Sequence, residues 1–514
     1  MRSASLPSSE STRRRPLLLK TAKQVSRVHR WLGIVMCLFF AIWFATGTVM
    51  MYVPFPSLGE GDRIAASQAV DLKALQVSPS EALSMASGAL VERLTLVSVL
   101  GSPRYVMKLA DGRVLAVSSS HELAEPLDAA AARAVAKRFA ARPVAAITGP
   151  FDHDQWVVHQ RFDSVRPFFR AEVEDTAGTE LYVSALSGEV LQRTTAFERG
   201  WNWVGAVVHW IYPTVLRKNF RAWDQTVWWL SLVGLSTALM GMGLGVVRLV
   251  NLRRQQGDGA SPFRGWMRWH HLLGLTAGTF LLTWIFSGWL SMDHGRLFSL
   301  EIPEGMHEAR LQGTPLTEAV RRMSIEQLGA LGDPHEIEFT AIAGEPWLVL
   351  RGGRWGQSMV IAAAALPDVS KAIPLLPDAL LVEAVKRAWA PEGVVGIAPI
   401  AADDAYGRLR NNPLPANTRR VTLADSGETW VHVDAASGHL ISVMDRSRRL
   451  LRWLFDGLHT FDFPFLNGAG PLWQILMWLA LVLGFTFSVT GVLLGSRRLA
   501  KSSRSWLRPH SSSK

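Results

Sequence analysis

Four long apolar stretches stand out from an otherwise mixed pattern of hydrophobic and polar residues. They cover residues 33–53, 226–247, 271–292 and 471–496, and each is nearly free of charged side chains. A helix of about 20 apolar residues can cross the hydrocarbon core of a bilayer. The pattern therefore predicts four transmembrane helices. The first stretch is too long for a signal peptide and lacks an A-x-A-like cleavage site, so we expect it to be retained.

Basic residues are concentrated beside these stretches and give the chain a formal net charge of +11. They precede the first stretch, fill the short connection between the second and third, and follow the fourth. Cytoplasmic loops carry such an excess of Arg and Lys. We therefore expect a multi-pass protein of a bacterial inner membrane, with both termini in the cytoplasm and the two long connections outside. A nucleic-acid partner is disfavoured because no basic–aromatic surface motif occurs.

Several kinds of site are excluded or disfavoured by missing residues. Cys37 is the single cysteine, which excludes intrachain disulfides, cysteine-ligated iron–sulfur clusters and a C-x-x-C-H haem attachment. The four stretches contain no carboxylate, which argues against a proton relay through the membrane. No Walker-type G-x-x-x-x-G-K-[ST] motif occurs, which argues against an ATP-driven pump.

Two motifs occur twice along the chain. His29 lies in V-H-R-W-L-G and His270 in W-H-H-L-L-G, each at the start of an apolar stretch, and a Trp-x5-His pattern places His209 and His459 shortly before the second and fourth stretches. The repeating unit is thus helix, outside domain, His segment and helix. Since each unit crosses the membrane twice, we expect parallel repeats around an axis along the membrane normal.

The long connections between the helices are predicted to be α+β domains. Residues 114–118 and parts of 172–184 alternate like half-buried strands, and residues 129–141 form an alanine-rich helical pattern. Residues 181–191 and 430–440 each read as strand, Gly turn and strand. The fold class expected is an α-helical membrane protein with four transmembrane helices in two parallel repeats and two periplasmic α+β domains.

These patterns give the following expected division of the chain. The segments are a cytoplasmic tail (1–24), the first helix (25–53), periplasmic domain 1 (54–200), an outer His segment (201–223), the second helix (224–250), a cytoplasmic loop (251–268), the third helix (269–292), periplasmic domain 2 (293–447), a second outer His segment (448–470), the fourth helix (471–496) and a cytoplasmic tail (497–514).

The duplicated histidines are the candidate ligands. Parallel repeats would bring His29 near His270 at the cytoplasmic side and His209 near His459 at the outer side. Two facing imidazoles in each of two layers suit two haems that are held without covalent bonds. A zinc or copper site would need three or four ligands in one place, and no H-E-x-x-H or clustered Cys/His motif occurs.

Neighbouring residues support or compete with this assignment. Gly33 and Gly274 lie four residues after His29 and His270, where they either leave room for a flat macrocycle or serve helix packing. His271 competes with His270 as the ligand. His294 lies at the outer end of the third helix, where it either faces an outer haem or substrate or is an interfacial side chain.

A second group of polar residues lies in the first outside domain. His153, His159 and Arg166 either contact a substrate or belong to a solvated surface. A solvated surface is the more common explanation for such a group.

The H-R-W-L-G opening, the S-G-E-V-L hairpin, the outer His and the repeated second half resemble the PepSY-associated transmembrane family over residues 25–498. The chain is most similar to the branch of iron-regulated inner-membrane proteins that includes ferric-siderophore reductases of the FoxB type. The resemblance implies two periplasmic PepSY-type domains, a four-helix membrane unit and two b-type haems. His29 and His270 would bind the inner haem, and His209 and His459 the outer one. The second half departs from the pattern in its hairpin, where His439 replaces the Glu189 of the first half.

The function expected is transmembrane electron transfer. An unknown cytoplasmic or quinol donor would supply electrons that pass through the two haems to a periplasmic ferric siderophore, whose iron is released on reduction. No acid–base catalytic residue is expected. The alternatives are a siderophore or iron transporter, a non-enzymatic PepSY binding or regulatory protein, and an electron carrier for another periplasmic acceptor.

Overall fold

The computed structural model describes residues 9–119, 121–299, 304–467 and 470–506. Within these ranges the α-helices are, in chain order, α1 (Ser9–Met50), α2 (Glu60–Ala66), α3 (Pro79–Ser84), α4 (Ala129–Ala140), α5 (Ala196–Val204), α6 (Ala206–His209), α7 (Thr214–Arg217), α8 (Phe220–Arg254), α9 (Gly265–Leu290), α10 (Glu304–Gln312), α11 (Leu316–Ala319), α12 (Ile325–Gly329), α13 (Asp378–Ala388), α14 (Arg446–Arg452), α15 (Leu458–Thr460), α16 (Pro464–Asn467) and α17 (Gly470–Trp506). Short 3₁₀ turns occur at Leu72–Ala74, Gln160–Val165, Gly353–Trp355, Ala363–Ala365 and Val369–Lys371, and a π-helical turn at Trp453–Gly457.

The four predicted membrane helices are confirmed as long apolar helices. Segments long and apolar enough to cross a bilayer are Ala22–Met50 within α1, Phe220–Arg254, Gly265–Leu290 and Gly470–Ser502 within α17. They pack as a bundle in which α1 lies against α8 and α17, and α9 also lies against α8 and α17. The helices α1 and α9, which carry His29 and His270, are therefore diagonal partners. Large apolar side chains fill the space between the four helices (Met36, Phe40, Phe44, Leu235, Leu281, Ile285 and Leu481).

The chain outside the bundle forms β-sheets with helices packed on them. The strands are β1 (Val91–Val99), β2 (Ser102–Leu109), β3 (Val114–Ser118), β4 (Val144–Phe151), β5 (Phe168–Val173), β6 (Glu180–Ser184), β7 (Val190–Thr194), β8 (Glu336–Ile342), β9 (Glu345–Arg351), β10 (Met359–Ala362), β11 (Val394–Pro399), β12 (Thr418–Leu423), β13 (Trp430–Asp434) and β14 (Leu440–Met444). β3 occupies the predicted residues 114–118. The predicted alternating segment 172–184 contains the end of β5, a turn and β6.

One six-stranded sheet is shared by the two halves of the chain. Its order is β10-β9-β8-β1-β2-β3, so that β1 and β8 pair antiparallel in the middle. Leu94 lies opposite Phe339 and Leu96 opposite Ile337, and all four side chains belong to one buried core. Because strands with period 2 place alternate residues on opposite faces, Glu336 and Glu338 lie on the other face.

Two four-stranded antiparallel sheets complete the fold, in the orders β4-β5-β6-β7 and β11-β12-β13-β14. The strands β5, β6 and β7 begin at residues 168, 180 and 190, and β12, β13 and β14 each begin 250 residues later. Helix α4 packs on the first of these sheets and α13 packs against β11 of the second. Helix α4 matches the predicted helix 129–141 and ends because Ala141 takes a left-handed backbone conformation.

Both predicted Gly hairpins are present at the ends of β6 and β13. Gly188 and Gly438 have φ angles of +78° and +80°, a conformation that glycine adopts without steric cost. A β-carbon on Gly188 would lie 2.8 Å from Cγ1 of Val99, and one on Gly438 would lie 2.5 Å from Cδ1 of Ile342. Glycine therefore serves both the turn and the close contact of each hairpin with the shared sheet.

Candidate functional site

Two histidine side chains face each other where the extramembrane domains meet the helix bundle. His209 ends the short helix α6, and His459 lies in α15 directly after the π-helical turn. The centroids of their rings are 6.4 Å apart, and the ring planes are almost perpendicular at 86°. The structure thus brings together the pair predicted for the outer layer.

A hydroxyl group fixes the orientation of each of these two rings. Nδ1 of His209 is 2.9 Å from Oγ1 of Thr46, and Nδ1 of His459 is 2.9 Å from Oγ of Ser287. The hydroxyls of Thr46 and Ser287 donate to the carbonyl oxygens of Trp43 and Trp284. With the hydroxyl protons on these carbonyls, the hydroxyl oxygens accept from Nδ1–H, and the rings of His209 and His459 also interact with the carbonyls of Trp43 and Trp284.

The consequence is a defined tautomer for both rings. A neutral imidazole that carries its proton on Nδ1 has a bare Nε2, which is the form that binds a metal ion. Glycine allows these rings to lie close to the long helices: a β-carbon on Gly47 would be 3.6 Å from Cε1 of His209, and one on Gly288 would be 3.8 Å from Cε1 of His459.

The other predicted pair lines one cavity in the opposite end of the bundle. This cavity has a volume of about 600 Å³ and is bordered by His29, His270, His271, Gly33 and Gly274. A β-carbon on Gly33 would meet no atom within 4 Å, so this position faces open space. The exposed side chains of three cations also line it (Arg30, Arg248 and Arg498).

The inner pair also uses Nδ1 for hydrogen bonds. Nδ1 of His29 lies 3.1 Å from the carbonyl oxygen of Thr237 and must donate, because a carbonyl can only accept. Nδ1 of His270 lies 3.0 Å from Oγ1 of Thr490, whose own proton goes to the carbonyl of Phe487. Both rings therefore carry their proton on Nδ1 and have a bare Nε2.

His271 has the opposite arrangement. Its Nε2 lies 3.1 Å from the carbonyl oxygen of Gly245 and donates to it. Its Nδ1 is buried and meets no hydrogen-bond partner among the described residues. The ring also contacts Phe263 edge-on, with centroids 5.4 Å apart. His271 therefore presents a different nitrogen from the four duplicated histidines.

His294 follows the C-terminal end of α9 and lies beside the first turns of α8. Its Nε2 is 2.7 Å from Oδ2 of Asp224, and its ring stacks on Trp228 with centroids 4.7 Å apart and planes at 4°. This side chain therefore joins the ends of the two helices.

Two of the three predicted substrate residues, His159 and Arg166, hold a loop of the first domain together. Nε of Arg166 donates to Asp163, and its two terminal nitrogens donate to the carbonyls of Asp152 and His159. Nδ1 of His159 accepts from the backbone N–H of Arg161 and caps the 3₁₀ turn that follows. Burial and Arg166 lower the pKa of the exposed His153 side chain.

A buried charged cluster joins the two halves on the polar face of the shared sheet. We call it the junction cluster, and its members are Arg63, Arg93, Glu189, Glu308, Glu336, Glu338, Arg351 and His439. Arg63 binds both Glu189 at 3.0 Å and Glu336 at 2.7 Å. His439 lies 2.7 Å from Glu338 and 2.5 Å from Glu308. Glu189 and His439 are the residues that differ between the two hairpins. His439 contacts Glu338 of β8 directly, whereas Glu189 is linked to Glu336 of β8 through Arg63.

The ionisation of the junction cluster follows from these contacts. Burial alone would lower the pKa of His439, but the carboxylates of Glu338 and Glu308 raise it to about 10. Burial also opposes ionisation of Glu338, yet His439, Arg93 and Arg351 hold its pKa well below the usual value. His439 and Glu338 are therefore both ionised at neutral pH, whereas burial raises the pKa of Glu189.

Sequence reasoning missed the hydroxyl residues that orient the imidazoles. Thr46 and Ser287 each follow the histidine of their own helix, His29 or His270, by 17 positions, and each precedes a glycine. That shared spacing was a signal of their equivalence. Thr490 has no such counterpart, because the matching role for His29 is taken by a backbone carbonyl.

In the described part of the chain, no group of three or more His, Cys, Asp or Glu is arranged to hold a metal ion.

Comparison with known proteins gives one family. A family model described as the PepSY-associated TM region matches residues 26–498, which is nearly the whole chain. No curated protein matches.

Proposed function

The chain belongs to the PepSY-associated transmembrane family and is a multi-pass membrane protein, and from that premise we propose that it is an inner-membrane electron-transfer protein with two b-type haems. Its substrate would be a ferric siderophore on the periplasmic side. His209 with His459 would hold the outer haem, and His29 with His270 the inner one.

The observation that carries this proposal is the geometry of the outer pair. Two metal–nitrogen bonds of about 2 Å each, made by imidazoles on opposite sides of one ion, separate the ring centroids by roughly 6 Å. The distance between the rings of His209 and His459 is 6.4 Å. Both rings also have Nε2 free of a proton, because Nδ1 donates to Thr46 or Ser287.

The inner pair supports the same reading. The cavity of about 600 Å³ that His29 and His270 border is of the size that holds small ligands and cofactors. Arg30, Arg248 and Arg498 line it and suit a ligand that is apolar in its body and carries carboxylates at one edge. His271 would be a structural residue, since its Nε2 is held by Gly245.

The side chains around the outer pair would position the ligands and exclude water. The ring of Phe455 stacks on that of His459 with centroids 5.3 Å apart. Trp43 donates from Nε1 to the carbonyl of His209 and so fixes the backbone of the ligand. Bound at such positions, haem iron supplies reversible one-electron transfer, and the protein sets its orientation and potential.

The choice of substrate rests on the chemistry of the product. Siderophores hold Fe(III) through oxygen donors, and their attraction for Fe(II) is weaker because its charge is lower. One added electron therefore loosens the iron. The positive-inside pattern would place His209 and His459 at the periplasmic side, where a chelate arrives, and both termini in the cytoplasm. The matched positions of strands β5–β7 and β12–β14 support two parallel repeats.

An absorption spectrum of the purified protein, oxidised and reduced with dithionite, tests the haem assignment. We expect b-type bands from two haems, with one haem lost in His209→Ala or His459→Ala and the other lost in His29→Ala or His270→Ala. His294→Ala is the matched control, because its bonds to Asp224 and Trp228 lie outside both pairs, and it should keep both haems. Full haem content in all four variants would contradict the assignment.

A second measurement tests the substrate. The reduced protein is mixed with a ferric hydroxamate without oxygen, in the presence of a chelator that becomes coloured with Fe(II). We expect reoxidation of the protein together with trapped Fe(II). If the protein contains haem but produces no Fe(II), the electron-transfer proposal stands and the assignment of a ferric siderophore as the substrate is wrong.

A further inference from the structure

Each of the four paired imidazoles is hydrogen-bonded through Nδ1 to an oxygen atom of a long helix, and His209 and His459 also interact with the backbone carbonyls of Trp43 and Trp284. The acceptors are hydroxyls for His209, His459 and His270 (Thr46, Ser287 and Thr490), and a backbone carbonyl for His29 (that of Thr237). The four distances from Nδ1 to oxygen lie between 2.9 and 3.1 Å, within the range of real hydrogen bonds.

Each of the three hydroxyls lies between the imidazole and a carbonyl of its own helix. The carbonyl is that of the residue three positions earlier, at 3.1, 3.0 and 2.6 Å for Thr46, Ser287 and Thr490. A hydroxyl has one proton and two lone pairs, and a carbonyl can only accept. With the hydroxyl proton on the carbonyl, the oxygen offers a lone pair to the imidazole, and Nδ1 carries the proton.

We propose that Thr46, Ser287 and Thr490 are positioning residues that set the electron-donating strength of the histidine ligands, each for one layer only. An acceptor on Nδ1–H makes the imidazole more basic and a stronger ligand through Nε2. Thr46 and Ser287 act on the outer pair, and Thr490 acts on the inner pair. This inference rests on the proposed function, because it requires a metal between the paired rings.

The separation of the layers follows from the helices that supply the acceptors. Thr46 and Ser287 lie near the C-terminal ends of α1 and α9, each 17 residues after the histidine of the inner pair on the same helix. Thr490 and Thr237 belong to the middle of α17 and α8. None of the three hydroxyls contacts a histidine of the other layer by a hydrogen bond within the described residues.

Redox titration of the purified protein, followed by absorbance, tests the proposal with Thr46→Val, Ser287→Ala and Thr490→Val. Each change removes the hydroxyl and keeps the size of the side chain nearly constant. Loss of the hydrogen-bond acceptor makes the imidazole a weaker electron donor to ferric iron. The ferric state is then less stabilised, so we expect the midpoint potential to rise. The titration should resolve two redox components, one for each layer. Thr46→Val and Ser287→Ala should raise the midpoint potential of one component, and Thr490→Val should raise that of the other.

Thr283→Val is the matched control. It removes a hydroxyl of α9 that donates to the carbonyl three residues earlier, that of Phe280, at 3.0 Å. Within the described residues, no hydrogen bond joins this hydroxyl to an imidazole. We expect both potentials to remain at their wild-type values, because only the loss of an imidazole acceptor should change them.

The outcomes separate this inference from the proposed function. Wild-type protein without haem would overturn both. Wild-type protein with two haems, whose potentials are unchanged in the three hydroxyl variants, would overturn only the inference. If a variant does not retain haem, nitrogen NMR of histidine-labelled, haem-free protein decides: a change of tautomer at the affected ring supports the inference, and an unchanged tautomer contradicts it.

Discussion

A β-carbon on Gly241 would lie 2.6 Å from Cε1 of His29, closer than real carbon atoms approach. The corresponding contact between α17 and α9 joins Gly491 to Cε1 of His270, where the distance would be 3.5 Å. The two glycines, 250 residues apart, therefore allow the inner imidazoles to lie against α8 and α17. Contact with these helices restricts the rotation of the His29 and His270 side chains.

Filling this space should displace the inner ligand. Under the proposed function, we expect Gly241→Leu to remove the proposed inner haem and to leave the proposed outer one, because the new side chain occupies the place of the His29 ring. Counting haems by the pyridine haemochrome spectrum measures the effect. Gly243→Leu is the control on the same helix, since a β-carbon there meets no atom within 4 Å. Equal haem content in the two variants would contradict the predicted packing.

The two adjacent histidines of α9 should behave differently. We expect His270→Ala to abolish binding of the inner haem, because its Nε2 is bare. His271→Ala should keep the haem and lose about 1 kcal/mol of stability, the usual net value of one hydrogen bond, because the contact with Gly245 is removed. Haem content and thermal unfolding, measured on the same preparations, separate the two effects. Haem lost only in His271→Ala would reverse the assignment of the ligand.

The junction cluster should make stability depend on pH in the alkaline range. The pKa of His439 is about 10 in the folded protein against an unperturbed value of 6.5. The folded state therefore binds the proton more tightly, and its stabilising effect is complete below pH 6.5 and is lost as the pH rises to about 10. We expect the wild-type unfolding midpoint to fall over that range.

Replacement of His439 isolates this contribution. We expect His439→Gln to unfold earlier at pH 6.5 by on the order of 3 kcal/mol, because Glu338 is then left buried with one cation fewer. Its midpoint should change less with pH between 6.5 and 10 than that of the wild type. The exposed His121→Gln serves as the control and should follow the wild-type curve. A His439→Gln curve parallel to the wild type would show that this proton is not responsible.

A buried ion pair holds the segment that carries His459. Nη2 of Arg452 lies 3.1 Å from Oδ1 of Asp462, and the two side chains are only 1% and 2% exposed. Arg452→Met should destabilise the protein by about 3 kcal/mol, since the carboxylate of Asp462 loses its guanidinium partner while buried. Chemical denaturation measures the loss.

Two further variants make that measurement specific. Arg321→Met removes an exposed pair with Glu318 and should cost less than about 1 kcal/mol. The double variant Arg452→Met with Asp462→Leu should recover part of the stability lost in Arg452→Met, because no buried charge remains unpaired. A double variant that is less stable than the single one would mean that the pair itself supplies the stability.

The sequence predicted the helices and the histidine pairs because both leave strong local signals. A run of about 20 apolar residues without charge is typical of a transmembrane helix, and a motif that occurs twice can be recognised in the sequence alone. Thr46, Ser287 and Thr490 were missed because a threonine or serine in a helix usually binds its own backbone, as these also do. Only the three-dimensional packing shows that their lone pairs meet an imidazole.

The expectation of two outside domains did not include the six-stranded sheet that the two halves share. The repeated hairpins at Gly188 and Gly438 were visible as strand, turn and strand. The pairing of β1 with β8 joins residues about 240 positions apart, from Val97↔Glu336 to Leu94↔Phe339. No local pattern of hydrophobic residues specifies such a partner. His439 was noticed as a departure from Glu189, but its role became clear only from its contact with Glu338.

The six-stranded sheet has a consequence for any attempt to divide the polypeptide. Cutting the connection between α8 and α9 would leave two fragments, each with a three-stranded half of the sheet. The backbone N–H and C=O groups of the newly exposed edge strand, β1 or β8, would lack their natural partner. Such open edges associate with whatever strand they meet. Fragments produced in the same cell should therefore recombine into one working molecule, whereas either fragment made alone should precipitate. The two halves of this polypeptide are therefore not independent of each other.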